Sequence, residues 1–404
     1  MIYFICTLVI VVFFLLLWLD FYLGRSAFFK KAPSFEFGRK SGTSYKLYTN
    51  GHELFPAIFK DIKQANAKID VMFFTIRNDE LSKQMYQLLI EKAREGVAVR
   101  LLVDRFGSFS FKSKIKRELI ANGVQFLYSD IPRFPYYFYM LNRRNHRKIT
   151  VIDQQIGYVG GYNLGKEYIG KDPKLGDWRD YHLRLEGEIV DDLQHVFVYD
   201  WNCAYYKKAV MDVPPLTKRH SLYENEPSME MILTEGGQLE QLFYTWINQA
   251  EQEILIGSPY FIPSKRIFNA LVEAMQRNVK VKLLVPIKGD HPLVKPAGIP
   301  FYRSLANAGG EVFLFDNGFY HTKILIIDKQ LCDIGTANFD MRSFFLNKEV
   351  NSVVRDDPDF INAVRSAYLK DIKASIPLTE KWINDQPLSV KLQLTIAKIF
   401  RPLL

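Results

Sequence analysis

The sequence predicts an α/β protein: two tandem repeated α/β domains with mixed, largely parallel sheets, preceded by one transmembrane helix. Three observations carry this. Strand patterns alternate with amphipathic helix patterns twice over, in the same order each time. One constellation, His-x-Lys-x4-Asp, stands in each half: His146-Arg147-Lys148 with Asp153, and His321-Thr322-Lys323 with Asp328. An apolar run broken only by Thr7 fills Ile2 to Leu19.

The apolar run comes first along the chain. Its 18 residues would span about 27 Å as a helix, close to the hydrocarbon thickness of a bilayer. It has neither the basic n-region nor the small-residue cleavage site of a signal peptide. We therefore expect an anchor over residues 1–24 and a basic juxtamembrane linker over 25–40. Arg25, Lys30, Lys31, Arg39 and Lys40 follow the span and no Lys or Arg precedes it, which predicts cytoplasmic catalytic domains.

The first repeat is expected over 41–212, a connector over 213–224, and the second repeat over 225–375. Leu47 to Gly51 matches Ile232 to Gly236, and each is followed by an amphipathic helix pattern. Apolar strands come next (Ile69–Phe74; Ile254–Ile256), then second helices (Leu81–Arg94; Ile267–Gln276) and further strands (Val97–Val103; Val279–Val285). A third helix in each half leads to a glycine turn at Gly123 or Gly310 and then to the motif. Pro214-Pro215 and the polar run Glu224 to Ser228 mark the connector. The first half carries about a dozen extra residues before its motif, Pro132 to Leu141 followed by Arg143 and Arg144. An aromatic loop with a basic flank reads as a lipid wedge or as a core-packing loop. Residues 376–404 form an amphipathic tail, suited to lying at a lipid interface or to docking on the body.

Net charge is +9, which favours a polyanionic partner, nucleic acid or anionic membrane. The apolar N-terminus and the 31 Phe and 22 Tyr tilt that choice to the bilayer, and no nucleic-acid partner is expected. Three scattered cysteines imply neither a disulfide framework nor a zinc site.

The repeated motif carries the chemistry. Residues two apart on a strand share a face, so each His-x-Lys pair presents an imidazole beside an ammonium. A phosphodiester exchange needs a nucleophile, a leaving-group acid and cations on the non-bridging oxygens. Two histidines and the clamps Lys148 and Lys323 supply all of these. No Asp/Glu/His grouping has metal-ligand spacing, so neither metal nor cofactor is expected. Asn163 and Asn338, ten residues beyond the motif aspartates, can add hydrogen bonds. Asp180, downstream of His146, and Glu349, downstream of His321, are candidate acceptors for the second ring nitrogen of a working histidine. Asp153 and Asp328 belong to the motif but lie an odd seven residues past their histidines, which predicts the opposite strand face and a role in backbone turns.

These residues resemble the phospholipase D superfamily, whose signature is the doubled motif. Asn145 to Asp153, Gly160 to Gly165, Ser258 to Pro263, Gly335 to Ser343 and the terminal Pro402-Leu403-Leu404 are similar to bacterial cardiolipin synthases. The resemblance implies that a phosphatidyl group passes from one phosphatidylglycerol to another, giving cardiolipin and glycerol. It also implies that His146 is the nucleophile and His321 the acid. Hydrolytic phospholipase D stays open as an alternative, because water and an alcohol can resolve the same intermediate. A superfamily endonuclease is the more remote one. Many cardiolipin synthases begin with two spans, where this chain shows one.

Overall fold

Two sheets with one shared connectivity frame the molecule. A computed structural model of the chain describes residues 1–31, 37–208 and 227–404; the connector expected at 213–224 lies outside the described residues. The first sheet contains β1 (Ser44–Asn50), β2 (Lys68–Phe73), β3 (Ala98–Asp104), β4 (Gln125–Ser129), β5 (Ile149–Ile152), β6 (Ile156–Gly160) and β7 (Trp178–Glu186), in the order β1-β7-β6-β5-β2-β3-β4. In the second half the strands are β8 (Ser228–Thr234), β9 (Glu253–Gly257), β10 (Phe261–Ile262), β11 (Lys280–Pro286), β12 (Glu311–Phe315), β13 (Phe319–Tyr320), β14 (Ile324–Ile327), β15 (Leu331–Gly335), β16 (Phe339–Asp340), β17 (Glu349–Arg355) and β18 (Ser375–Pro377). The second sheet runs β8-β17-β15-β14-β9-β11-β12-β18. Apart from the added β18, the two paths match strand for strand. The repeat read in the sequence is a repeat of topology.

The sheets are mixed, but among the described residues antiparallel pairings outnumber parallel ones, correcting the expectation of largely parallel sheets. Within the two large sheets the parallel pairings are β2-β3-β4 and β9-β11-β12, where helices cross over, and the short β13 against β7. After each motif the chain instead makes tight hairpins, β5-β6 and β14-β15. Asp153-Gln154 and Asp328-Lys329 turn these hairpins with positive φ at both residues, the backbone that suits the right-handed twist of the flanking strands.

The helices are α1 (Ile2–Lys31), α2 (Gly51–Gln64), α3 (Glu80–Arg94), α4 (Ser113–Ala121), α5 (Tyr137–Asn142), α6 (Ile189–Tyr205), α7 (Leu239–Gln249), α8 (Lys265–Gln276), α9 (Val294–Asn307), α10 (Met341–Phe345), α11 (Pro358–Lys373), α12 (Glu380–Asn384) and α13 (Leu388–Phe400). Side chains of Asn50, Asp79, Ser264 and Asp357 cap α2, α3, α8 and α11 by accepting backbone N–H bonds. α6 and α11 fill the space between the sheets, where Leu193, Phe197, Phe360 and Tyr368 join one buried cluster with strand residues of both halves. α2 and α3 cover the outer face of the first sheet, and α7, α8 and α9 that of the second.

α1 is apolar and long enough to cross a membrane. It continues seven residues into the segment read as linker, because its C-terminal half packs on the body. Phe21 and Phe28 lie against Tyr139 at 5.7 and 5.2 Å between ring centroids, and Asp20 accepts the Tyr139 N–H at 2.8 Å. Gly24 makes this approach possible, since a Cβ there would sit 2.6 Å from that of Tyr139. The aromatic insertion is therefore clamped to α1. Its basic flank is not surface charge: Arg143 and Arg144 are buried and paired with Asp130, Glu235 and Asp104.

Buried ion pairs join the halves. Arg147, wholly enclosed, donates to Asp200 (2.7 Å), Glu235 (2.7 Å), the Thr234 carbonyl (2.8 Å) and the Glu349 carbonyl (3.1 Å). Lys348 reaches back from the second half to Asp200 and Asp130 at 3.1 and 3.4 Å. Burial would raise the Asp200 carboxyl, but Arg147 and Lys348 outweigh it and hold it at about 2. Removing one member leaves uncompensated charge in the core, at a cost of about 3–5 kcal/mol. Arg147→Ala should lower unfolding stability by that amount in denaturant titrations. Arg147→Lys should recover little of it, because an ammonium cannot span four acceptors in a plane. Near-normal stability of Arg147→Ala would remove the network from its proposed structural role.

Candidate active site

The sequence reading puts each His-x-Lys on a strand. The structure holds them one step earlier, in extended segments that enter β5 and β14. These segments hydrogen-bond to the opposite half. The His146 N–H donates to the Lys348 carbonyl at 3.0 Å, and the His321 N–H to the Arg179 carbonyl at 2.7 Å. β13, just before His321, pairs with β7 through Phe319–Trp178 and Tyr320–Arg179. Alternation still holds along the extended chain. His146 and Lys148 both meet the Phe74 ring, at 5.0 and 5.4 Å, while Arg147 between them enters the ionic network.

The carboxylate partners are exchanged between repeats. His146 Nδ1 lies 3.0 Å from Glu349, and His321 Nδ1 lies 2.6 Å from Asp180. Each candidate was expected to serve the histidine of its own half; each serves the other. Their surroundings also differ. Thr336 and Ser343 donate hydroxyl bonds to Glu349 at 2.7 and 2.8 Å. The repeat position matching Thr336 is Gly161, where a Cβ would meet Asp180 at 2.1 Å, so only glycine admits that carboxylate.

Electrostatics then fix the proton positions. Burial lowers His146 to about 4, against the pull of Glu349, with Lys148 and Lys323 lowering it further. Burial would raise Glu349, but His146, Lys148 and Thr336 bring it below the usual carboxylate range. A neutral imidazole facing a carboxylate carries its proton on Nδ1, which leaves the Nε2 lone pair available. Burial, then Lys323, push His321 well below its ordinary value, and Lys148 and His146 add to this. Both histidines therefore sense the opposite repeat's cation, as convergence on one site requires. Lys323 is lowered to about 8 by burial despite Asp180, and Lys148 well below a free lysine. Lys148 donates to its own histidine's carbonyl at 2.6 Å, and Lys323 does likewise to His321. Trp178, 4.8 Å from His321, and Tyr260, 6.2 Å away, line the second ring.

The cardiolipin synthase, phospholipase D-like domain model matches residues 58–200 and 244–372. Minor cardiolipin synthase ClsB of Bacillus subtilis is 41% identical over 92% of each chain. Cardiolipin synthase 1 of Staphylococcus aureus is 37% identical over 88% of this chain and 73% of its own. The chain belongs to the cardiolipin synthase, phospholipase D-like family. The phosphatidylserine synthase of Haemophilus influenzae shares the fold, with a TM-score of 0.75 and 14% identity over 94% of this chain and all of that one.

Within this family member, the motif aspartates stand apart from the histidines. Asp153 accepts the N–H groups of Asn66, Ala67 and Lys68 at 2.7–2.8 Å, and Asp328 those of Glu251, Gln252 and Glu253 at the same distances. They cap the entry of β2 and β9 at the far ends of the motif strands. They hold backbone, the role that their odd spacing from the histidines predicts, although they belong to the motif. Asn163 is engaged too, accepting the Thr75 N–H at 3.0 Å. The Asn338 Oδ1 is buried with no hydrogen-bond partner among the described residues, and so is the more available of the two asparagines.

Sequence reasoning missed Arg147, Asp200, Glu235, Lys348, Thr336 and Ser343. The available signal was charge inside an apolar run: Arg147 occupies the x of its motif, on the face alternation turns inward. For the aspartates, Asp153→Ala should destabilise by roughly 1–3 kcal/mol through loss of three hydrogen bonds to a charged carboxylate. Turnover per folded molecule should stay within a few-fold of wild type, measured after correcting for the folded fraction. A hundredfold loss in folded protein would return Asp153 to the chemistry.

Proposed function

We propose that the chain is a membrane-anchored phosphatidyltransferase that makes cardiolipin from two phosphatidylglycerols through a phosphohistidine intermediate. The observation carrying this reading is the exchanged pair of imidazole–carboxylate contacts, one histidine from each repeat, beside two buried lysines. Membership of the cardiolipin synthase family supports the substrate class. The basic residues after α1 support a cytoplasmic placement of the repeats.

In this mechanism His146 Nε2 attacks phosphorus, and the bond to the glycerol headgroup breaks as His321 gives its proton to the departing oxygen. Lys148 and Lys323 hold the non-bridging oxygens while charge builds on them. The anionic diester offsets the burial that keeps both lysines and His321 poorly basic, so substrate itself favours their charged forms. His321, now neutral, takes the proton from a hydroxyl of a second phosphatidylglycerol. That oxygen displaces His146 from phosphorus, giving cardiolipin and free enzyme. Glu349, held ionised chiefly by His146 and Lys148 and hydrogen-bonded by Thr336 and Ser343, suits His146 to the nucleophile's part.

Incubation with headgroup-labelled phosphatidylglycerol, products read by mass spectrometry, should yield cardiolipin and labelled glycerol. Phosphatidic acid as the sole lipid product would instead make the enzyme a hydrolase. His146→Ala should abolish the acid-quenched phosphoenzyme, and His321→Ala should slow turnover by roughly 10²–10⁴-fold. A phosphohistidine persisting in His146→Ala would reassign the nucleophile. The pH profile follows from the shifts. His146 is unprotonated above about 4, so kcat/KM should fall as pH drops through that value; the alkaline limb should lie well below the value of about 8 at which Lys323 loses its charge, because His321, the acid, gives up its proton first. An acid limb near 6.5, the ordinary imidazole value, would contradict the burial of His146.

A further inference from the structure

We infer that α13 is a second membrane contact, a helix lying in the lipid interface beside the point where α1 leaves the body. At 3.6 residues per turn, Leu388, Leu392, Ile396 and Ile399 fall on one face. That face is open: Leu388, Leu392 and Ile399 are 72%, 62% and 74% exposed. The opposite face packs inward, with Ala397 buried beneath and Val390 against the second-half core. A helix docked by its small residues, with its large apolar ones outward, lacks a cover for those side chains.

Charge and position identify the cover as an anionic bilayer. From Leu388 to Leu404 there is no Asp or Glu, while Lys391, Lys398 and Arg401 are present. Lys391 and Lys398 flank one side of the stripe, as snorkelling lysines do at a lipid interface. The helix also ends where the anchor begins to emerge. Leu403, just past α13, packs on the same three buried residues, Tyr139, Met140 and Leu346, as Phe21 and Phe28 of α1. The residues of α1 before Asp20 project away from the body as an exposed apolar rod. The clamped insertion adds Phe134, 87% exposed and stacked on Tyr137 at 5.6 Å. Anchor exit, aromatic insertion and the end of the tail thus meet at one cluster, which sets the stripe on the membrane side and holds the second repeat to the membrane by its own tail.

The inference rests on the membrane-anchored part of the proposed function, not on its chemistry, and the test keeps the two apart. Full-length protein carrying Cys6→Ser, in which the remaining Cys203 and Cys332 are buried, would receive one exposed cysteine at a time, at Leu392, Ile399, Val11 or Gln155. Each would bear an environment-sensitive fluorophore in vesicles of phosphatidylglycerol and phosphatidylethanolamine. Lipids brominated on their acyl chains should quench Leu392→Cys and Ile399→Cys but not Gln155→Cys, on a hairpin remote from the histidines. Stripe positions quenched no more than Gln155→Cys would overturn the inference, whatever Val11→Cys shows. Blue-shifted emission without bromine quenching would overturn it too, giving the stripe to a second copy of the chain. Stripe quenching with Val11→Cys unquenched would uphold α13 and refute the span. In the double variant Leu392→Glu, Ile399→Glu, turnover on vesicles should drop about tenfold while turnover in detergent-dispersed lipid holds; equal loss in both would make the stripe structural.

Discussion

Each histidine takes its acceptor from the other repeat, and much of the site depends on that exchange. His146 leans on Glu349 and His321 on Asp180. The backbone repeats the crossing, with each motif segment hydrogen-bonded to a strand end or approach of the opposite half. Neither half can position its own imidazole. A single repeat would lack the carboxylate that fixes the tautomer and the partner strand that holds the motif extended. The proposed two-fold chemistry, with one nitrogen on each side of phosphorus, rests on this exchange.

Holding the exchange in place costs buried charge. Arg147, Lys348, Asp200 and Glu235 lie in the interface behind His146. Such pairs contribute little net stability compared with apolar packing, but are severely penalised when one partner is lost. They make the junction specific: a slip of one residue in the motif would turn Arg147 into the site and His146 into the core. The opposite junction, behind His321, uses a lighter set, Arg179 and Tyr181 on Asp371. The symmetry of the fold is therefore broken in its supports. Thr336 and Ser343 serve Glu349, where Gly161, in the position matching Thr336, leaves room for Asp180. Two histidines in equivalent backbone settings acquire different surroundings and can take different roles.

The insertion before the first motif breaks symmetry a second time. It clamps α1 to the first repeat through Tyr139 and Asp20, while the tail runs over the second repeat and ends against the same cluster. Anchor, insertion and tail meet on one side of the body.

Much of this was legible in the residues. The doubled motif, the matching order of strands and helices, the apolar run and the pairing of each half's histidine and lysine all follow from spacing and period. The odd interval from His146 to Asp153 foretold that the aspartate leaves the site, and the structure shows it capping β2. Other features were not legible. Spacing along a chain measures distance within a repeat, so Asp180 and Glu349 could be named as acceptors but not matched to their histidines. Arg143 and Arg144 read as a surface flank because a charge run reveals nothing of the acids that three-dimensional packing brings to it. The hairpins after each motif displaced the expected parallel pairing, since positive φ at two consecutive non-glycine residues is invisible to hydropathy. The sequence by itself determined which groups are candidates for the chemistry and that they come in two sets. Only the tertiary structure decided how those sets are shared, because hydrogen bonds a few ångströms long between strands far apart in sequence exist only once both halves are folded together.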